Sequence, residues 1–230
     1  MLIHGLQKLT LLDYPGKVAC TVFTGGCNFR CPFCHNASLV LRPDEGEHIP
    51  EEELFALLKK RQGVLEGVCI TGGEPTLAFG LETLMARIKE MGYLVKLDTN
   101  GSNVLRLRRL VEQGLVDYVA MDIKNAPDKY GMTIGIEEYD MSNIFQSVDF
   151  LMSGDVPYEF RTTVVRQFHK REDFAAIGRW IKGAKQYYLQ SFVDSGDLIC
   201  PGMKGYTKEI MEQALEIVKR NIPNAKLRGV

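Results

Sequence analysis

Apolar residues along the chain fall into six short runs rich in β-branched and aromatic side chains, with longer amphipathic segments between them. The runs are nearly continuously apolar, which is typical of parallel strands buried on both faces. We therefore predict strands at 17–24, 67–71, 94–99, 118–123, 158–165 and 186–193. The spacing of apolar residues and the capping signals predict helices at 50–62, 80–91, 102–113, 137–152, 171–182 and 206–221.

This alternation predicts an α/β fold with parallel strand pairs and right-handed crossovers. Periodicity alone leaves two architectures open, a doubly wound sheet and a barrel or partial barrel. A chain of 230 residues corresponds to one large domain or two small ones, and no low-complexity linker divides it. We expect a single domain over residues 1–230.

The composition narrows the class of protein. Hydrophobic residues make up 45% of the chain and charged residues 25%, which excludes a disordered chain and a small disulfide scaffold. No apolar run approaches the roughly 18 residues of a membrane span, and the first residues lack the pattern of a signal peptide. With 28 Lys+Arg against 29 Asp+Glu, the charge is −1, which argues against sequence-independent nucleic-acid binding. We expect a cytoplasmic protein without membrane or nucleic-acid partners.

The longest stretches without periodicity are residues 25–49, 124–136 and 194–205, and each follows a predicted strand. In parallel α/β proteins, the loops beyond the carboxyl ends of the strands build the active site. Polar and glycine-rich segments concentrate at these strand ends. The sequence therefore predicts the functional site there.

Three of the six cysteines, Cys27, Cys31 and Cys34, lie within one of these loops. Three thiolates would leave one coordination position of a metal centre open, whereas closed structural sites use four protein ligands. A zinc site completed by His35 and a redox pair of Cys31 and Cys34 are the alternatives. Cys20 and Cys69 lie in apolar runs and are predicted core residues.

The spacing Cys27-x3-Cys31-x2-Cys34, with the aromatic Phe33 before the third cysteine, resembles the signature of the radical S-adenosylmethionine (SAM) superfamily. The segment Gly72-Gly73-Glu74-Pro75 resembles the SAM-binding motif of that family. The resemblance covers nearly the whole chain. It implies a partial TIM-type (β/α)6 barrel with a radical SAM core. It also implies a [4Fe–4S] cluster held by the three cysteines, with SAM bound to its unique iron.

The glycine motif also has a physical reading of its own. Gly72 and Gly73 would let the backbone approach the methionine end of SAM closely, and Glu74 would offer an acceptor near the SAM ammonium group. Taken alone, this segment would be a turn. Its position one strand after the cysteine loop favours the binding role.

Further polar residues at strand ends resemble SAM contacts of the activases of glycyl-radical enzymes. They are Asp98, Asn100, Asp122 and Lys124. In some members the two carboxylates bind a cation, and a monovalent cation is therefore a further expected ligand. The alternatives are an Asx-turn for Asp98 and a solvated charge for Lys124. Arg161 lies in an apolar strand and needs a carboxylate, either that of SAM or that of a structural salt bridge.

The run 10–17 and Cys34-His35-Asn36 look most like the activating proteins of anaerobic (class III) ribonucleotide reductase. The resemblance implies one-electron cleavage of SAM to a 5′-deoxyadenosyl radical that installs a glycyl radical on the reductase. A reductant such as flavodoxin or ferredoxin would supply the electron. The alternatives are another glycyl-radical enzyme as target, a small-molecule substrate as in deazaguanine synthase-like enzymes, and a non-catalytic iron–sulfur or zinc module.

Overall fold

The computed structural model describes residues 1–230, which form eight strands and eight α-helices. The strands are β1 (Gly5–Thr10), β2 (Ala19–Thr24), β3 (Gly67–Gly72), β4 (Leu94–Thr99), β5 (Tyr118–Asp122), β6 (Tyr158–Val164), β7 (Tyr187–Ser191) and β8 (Lys226–Arg228). The helices are α1 (Ala37–Leu41), α2 (Glu51–Lys60), α3 (Leu81–Glu90), α4 (Val104–Glu112), α5 (Tyr130–Ile134), α6 (Ser142–Ser153), α7 (Arg171–Trp180) and α8 (Lys208–Lys219). None of these helices combines the length and the apolar character that crossing a membrane would require.

The chain divides into two compact units. The first comprises Met1–Asn28 and Ser38–Ala120, and the second comprises Phe29–Ala37 and Met121–Val230. The loop with the three cysteines therefore contributes to both units, because Cys27 belongs to the first and Cys31 and Cys34 to the second. The boundary between the two units falls within β5, between Ala120 and Met121.

In the first unit, strands β1 to β4 are neighbours in chain order. Strand β2 pairs with β3, and β3 with β4, in parallel, and α3 provides the crossover between β3 and β4. The central residues of β2 and β3 are buried without interruption, as expected of strands covered on both faces. Cys20 and Cys69 lie within these strands and are fully buried, which confirms them as core residues.

In the second unit, β6, β7 and β8 pair in parallel in chain order. Helix α7 connects β6 to β7, and α8 connects β7 to β8, so this unit consists of βα repeats. The six predicted strands are therefore all present, as β2 to β7, with bounds that differ by at most a few residues.

The edge strands β1 and β8 were not predicted. Strand β1 pairs antiparallel with β2, and three of its residues are exposed, so it lacks the apolar run that marks the central strands. Strand β8 has three residues, too few to show periodicity. Their pairing depends on neighbouring strands and not on a local apolar pattern.

The six predicted helices are present as α2, α3, α4, α6, α7 and α8, while the short helices α1 and α5 fall in stretches predicted as loops. Helix α6 begins at Ser142, five residues after the predicted start at 137. The reason is local, because the carboxylate of Asp140 accepts hydrogen bonds from both the amide and the hydroxyl of Ser142, at 2.9 and 2.6 Å. This Asx-turn lies immediately before the first helical residue.

Candidate functional site

The glycine motif after β3 packs directly onto the start of the cysteine loop. The Gly73 amide donates to the Thr24 carbonyl at 2.9 Å, and the Glu74 amide donates to the Gly26 carbonyl at 2.8 Å. A Cβ at Gly72 or Gly73 would overlap the backbone of Thr24 or Gly26, and Gly72 has a φ of +122°. Glycine is therefore required here by the contact between two loops. The two amides already have protein acceptors, so a ligand would meet the remaining backbone groups.

The carboxylate of Glu74 is fully buried and joins the glycine motif to the end of β4. One oxygen accepts from the Thr76 amide at 3.0 Å and from the Thr99 hydroxyl at 2.8 Å. The other accepts from the Asn100 amide at 2.6 Å. Burial raises the pKa of Glu74, and the hydrogen bonds oppose this shift. In the structure, the side chain of Glu74 thus links two strand ends, whereas the sequence analysis expected it to face SAM.

Asn100 connects this edge to the first cysteine. Its side-chain nitrogen lies 3.8 Å from Cys27 Sγ and 3.0 Å from Asn28 Oδ1. Its side-chain oxygen accepts from the Ser102 amide at 2.9 Å, and Asn28 Nδ2 donates to the Ser102 hydroxyl at 2.9 Å. The segment 27–28 is therefore bound to the loop that follows β4.

Asp98 forms an ion pair with Lys96, two residues earlier in β4. The Lys96 side chain is 1% exposed, and its ammonium group also lies 3.8 Å from Cys69 Sγ. A buried ammonium is costly unless a carboxylate compensates it. The carboxylate of Asp98 therefore has a protein cation beside it, and no Asx-turn at Asp98 begins α4, because Asn103 caps that helix. The sequence analysis did not identify Lys96, although a lysine within an apolar strand is the same signal that marked Arg161.

In the second unit, Phe33 anchors the cysteine loop in the core. Its ring is 4% exposed and packs against the rings of Phe168 and His169, with centroids 5.5 and 6.5 Å away. His169 is fully buried and lies 2.9 Å from the Lys124 carbonyl through Nε2, while its Nδ1 accepts from the Val165 amide at 3.0 Å. Since Nδ1 accepts, Nε2 carries the proton and donates to Lys124. These contacts fix the cysteine loop relative to the end of β5.

Asp122, Lys124 and Arg161 form one ion-pair network. Lys124 Nζ lies 2.8 Å from Asp122, and the Arg161 guanidinium donates to the other carboxylate oxygen at 3.0 Å. Burial alone would raise the pKa of Asp122, but the two cations outweigh it and lower the pKa to about 2. The carboxylate that Arg161 contacts is thus Asp122, which corresponds to the salt-bridge alternative of the sequence analysis.

Lys124 also brings positive charge towards two cysteines. Burial would lower its pKa, but Asp122 and then Cys31 outweigh that effect and raise it above its usual value. Burial raises the pKa of the Cys34 thiol, and Lys124 opposes that shift. Lys124 is therefore not a solvated loop charge, because its ammonium group interacts with Asp122 and stabilises negative charge on neighbouring sulfur.

The segment 194–205 packs on the cysteine loop within the second unit. The Cys200 amide donates to the Pro32 carbonyl at 2.9 Å, and the Ala37 amide donates to the Asp197 carbonyl at 3.3 Å. Both bonds are made by the backbone. The stretch that follows β7 therefore covers part of the loop that carries Cys31 and Cys34.

His35, the fourth ligand of the zinc alternative, is an exposed residue whose ring stacks on Phe192 with centroids 5.0 Å apart. Its carbonyl accepts from the Ser195 hydroxyl at 3.4 Å. The ring thus has an aromatic partner in this structure.

The predicted site residues therefore fall into two groups. Within the first unit, the structure brings together Cys27, Gly72, Gly73, Glu74 and Asn100, with Asp98 beside Lys96 on β4. Within the second unit, it brings Asp122, Lys124 and Arg161 into one network, and Lys124 interacts electrostatically with Cys31 and Cys34. Residues that the sequence analysis missed support these groups, namely Asn28, Lys96, Thr99, Ser102 and His169.

The cysteines are chemically suited to an iron–sulfur cluster. None of the three forms a disulfide bond; Cys31 is buried, and Cys27 and Cys34 are half-buried. Thiolates are the ligands of such clusters, and the half-buried Lys124 favours the thiolate form of Cys31 and Cys34. The structure contains no preformed group of three His, Cys, Asp or Glu side chains that could hold a metal ion. We therefore propose the three cysteines as ligands. The proposal depends on their spacing in one loop and on the chemistry of their thiolates.

Strands alternating with helices define an α/β protein, and the cysteine loop after β2 is its candidate metal-binding segment. The family model of the radical SAM superfamily matches residues 21–181. The chain belongs to the radical SAM superfamily, which confirms the resemblance seen in the sequence. Membership implies a [4Fe–4S] cluster and SAM as cofactors. This membership favours an iron–sulfur cluster over a zinc site completed by His35 and over a redox pair of Cys31 and Cys34.

Two named relatives are similar in sequence. A protein of Methanocaldococcus jannaschii, provisionally named a glycyl-radical enzyme activating enzyme, is 34% identical over 240 residues, covering 100% of this chain and 96% of the relative. The pyruvate formate-lyase-activating enzyme of Streptococcus mutans is 27% identical over 196 residues, covering 80% of this chain and 73% of that enzyme.

The fold is similar to solved structures. SuiB of Streptococcus suis, bound to S-adenosylmethionine, matches with a TM-score of 0.70 at 15% identity. The match covers 90% of this chain and 49% of SuiB, so the chain spans about half the length of that protein. The similarity confirms the predicted α/β fold with mostly parallel strands and a partial TIM-type barrel core.

Proposed function

We propose that this protein is a radical SAM activase that installs a glycyl radical on anaerobic ribonucleotide reductase. The observation that carries the activase function is the similarity to the Methanocaldococcus jannaschii protein, which spans the whole chain at 34% identity. A relative that matched the superfamily core alone would leave the type of substrate open. The similarity to a pyruvate formate-lyase-activating enzyme, over 80% of the chain, supports the same class of substrate.

When bound, the [4Fe–4S] cluster and SAM would together supply the one-electron radical chemistry that removes a hydrogen atom from a glycine Cα. Cys27, Cys31 and Cys34 would hold the cluster through their thiolates. Phe33 contributes by anchoring the cysteine loop to the Phe168 and His169 rings, since its own ring is buried there.

Several residues of the first unit are proposed SAM contacts. In the first unit, the backbone of Gly72 and Gly73, the side-chain oxygen of Asn100 and the carboxylate of Asp98 are the proposed contacts. Glu74 would act on SAM through the backbone it positions, because its side-chain oxygens already accept from Thr76, Thr99 and Asn100.

In the second unit, Asp122, Lys124 and Arg161 are the proposed contacts. The Arg161 guanidinium, which pairs with Asp122, is the group proposed to meet the carboxylate of SAM as well. Lys96 and Lys124 compensate the two aspartates, so binding of a monovalent cation at either carboxylate would compete with an ammonium group that is already present.

The ribonucleotide reductase target is supported by the segment 10–17 and by Cys34-His35-Asn36, which resemble the activating proteins of that enzyme. In the structure, this first segment connects β1 to β2, and Leu11 and Leu12 are exposed there at 69% and 86%. Exposed leucines in a connecting loop are available to a protein partner. A reductant such as flavodoxin or ferredoxin would supply the electron.

Electron paramagnetic resonance tests the proposal. The reconstituted, reduced protein is mixed anaerobically with SAM and the anaerobic ribonucleotide reductase of the same genome, and 5′-deoxyadenosine is quantified in parallel. We expect a SAM-dependent glycyl radical signal that disappears when the target glycine is replaced by alanine. SAM cleavage without that signal would refute this target and favour another glycyl-radical enzyme or a small molecule. Absence of any cleavage would refute the radical enzyme.

A further inference from the structure

The side-chain amide of Asn100 lies against the first cysteine of the loop. Its Nδ2 atom is 3.8 Å from Cys27 Sγ, a separation at which an N–H group can donate to sulfur. The same nitrogen is 3.0 Å from Asn28 Oδ1. An amide nitrogen carries two N–H groups, so each of these acceptors can receive its own hydrogen bond.

The surrounding contacts fix the orientation of this amide. Asn100 Oδ1 lies 2.9 Å from the Ser102 backbone nitrogen, which can only donate, so the oxygen must face Ser102 and the nitrogen must face Cys27. The backbone amide of Asn100 donates to the buried Glu74 carboxylate at 2.6 Å. Asn100 is 5% exposed, and water does not compete freely for its N–H groups.

We propose that Asn100 tunes the iron–sulfur cluster by donating an N–H hydrogen bond to the Cys27 thiolate. Such bonds to ligating sulfur withdraw electron density and stabilise the more electron-rich, reduced state of the cluster. This role differs from the SAM contact predicted for Asn100, and it rests on the proposed assignment of Cys27 as a ligand. Asn100 is thus a positioning residue that acts on the cluster through Cys27.

The energetic argument gives the sign of the effect. The hydrogen bond strengthens as negative charge on the sulfur grows, so it stabilises the reduced cluster more than the oxidised one. Removing the donor should make the cluster harder to reduce. An amide achieves this without adding a charge, which would otherwise need a counter-ion in this half-buried loop.

The test is a redox titration of the full-length, reconstituted protein, monitored by electron paramagnetic resonance. Asn100→Ala and Asn100→Leu both remove the donor without adding a charge. We expect the midpoint potential of both variants to shift to more negative values. We also expect the iron–sulfur stretching bands in resonance Raman spectra to shift to higher frequency, because no N–H group then withdraws electron density from the Cys27 sulfur.

Asn28→Ala is the matched control. It removes the acceptor of the second N–H group and loosens the same loop, but it leaves the N–H that faces Cys27. Its potential should match that of the unaltered protein. Unchanged potentials in the Asn100 variants would overturn the proposal, and so would an equal shift in Asn28→Ala, which would indicate loop loosening. Cys27→Ala tests separately whether Cys27 is a cluster ligand, because full cluster assembly in that variant would refute this assignment.

Discussion

The ammonium group of Lys96 lies against the carboxylate of Asp98, and both belong to β4. The lysine side chain is 1% exposed and the aspartate side chain 13% exposed. Each charge therefore depends on the other, because neither has full access to water. This pair provides at Asp98 the positive charge that the sequence analysis assigned to a bound cation.

Lys96→Met should destabilise the protein by about 3 kcal/mol, because it leaves the half-buried Asp98 carboxylate without its counter-ion. Chemical denaturation of the variant measures this cost. The double variant Lys96→Met/Asp98→Asn removes both charges and should recover part of the lost free energy of unfolding. Equal destabilisation in the single and double variants would show that the methionine harms packing and that the ion pair contributes nothing.

Gly73→Ala should disrupt the contact between the glycine motif and the cysteine loop. Its Cβ would overlap the Gly26 carbonyl oxygen, a backbone atom that cannot rotate away. We expect a loss of about 2 kcal/mol in the free energy of unfolding, together with weaker SAM binding in calorimetry. Gly46→Ala is the control, since a Cβ there meets nothing within 4 Å. Normal SAM affinity in Gly73→Ala would contradict the role of this contact.

The sequence predicts the central strands well because their burial is local and continuous. It does not predict β1 and β8, whose residues become strand only through pairing with a neighbour. The same limit applies to the site. The need of Arg161 for a carboxylate follows from the strand pattern, but its pairing with Asp122 depends on contacts between distant segments. Likewise, the acceptor role of Glu74 depends on Thr99 and Asn100, which lie about 25 residues further along the chain.

The Asp122 carboxylate should make the free energy of unfolding fall more steeply as the pH is lowered. Its pKa is about 2 in the folded protein, below its ordinary value of 3.8, because Lys124 and Arg161 outweigh burial. The unfolded chain therefore binds the proton more readily, so this stabilisation is present above pH 4 and is lost as the pH falls towards 2. A shift of this size corresponds to roughly 2 kcal/mol.

Urea unfolding of the cofactor-free protein between pH 4 and pH 2 measures this effect. Asp122→Asn should show a shallower loss of stability over that range, and it should be less stable than the unaltered protein at pH 7, where two cations lose their partner. Asp128→Asn, at an exposed position, should keep the original slope. An unchanged slope in Asp122→Asn would mean that other groups determine the acid sensitivity.

Cys31→Ala should abolish the visible absorption of the reconstituted iron–sulfur cluster, because the two remaining thiolates cannot retain a cluster that requires three cysteine ligands. Cys200→Ala is the matched control. Cys200 meets the same loop, but its bond to the Pro32 carbonyl is made by the backbone and survives the substitution. Full absorption in Cys200→Ala and none in Cys31→Ala would support the ligand set. Loss of absorption in both would make Cys200 a ligand as well, while retention in Cys31→Ala would remove Cys31 from the site.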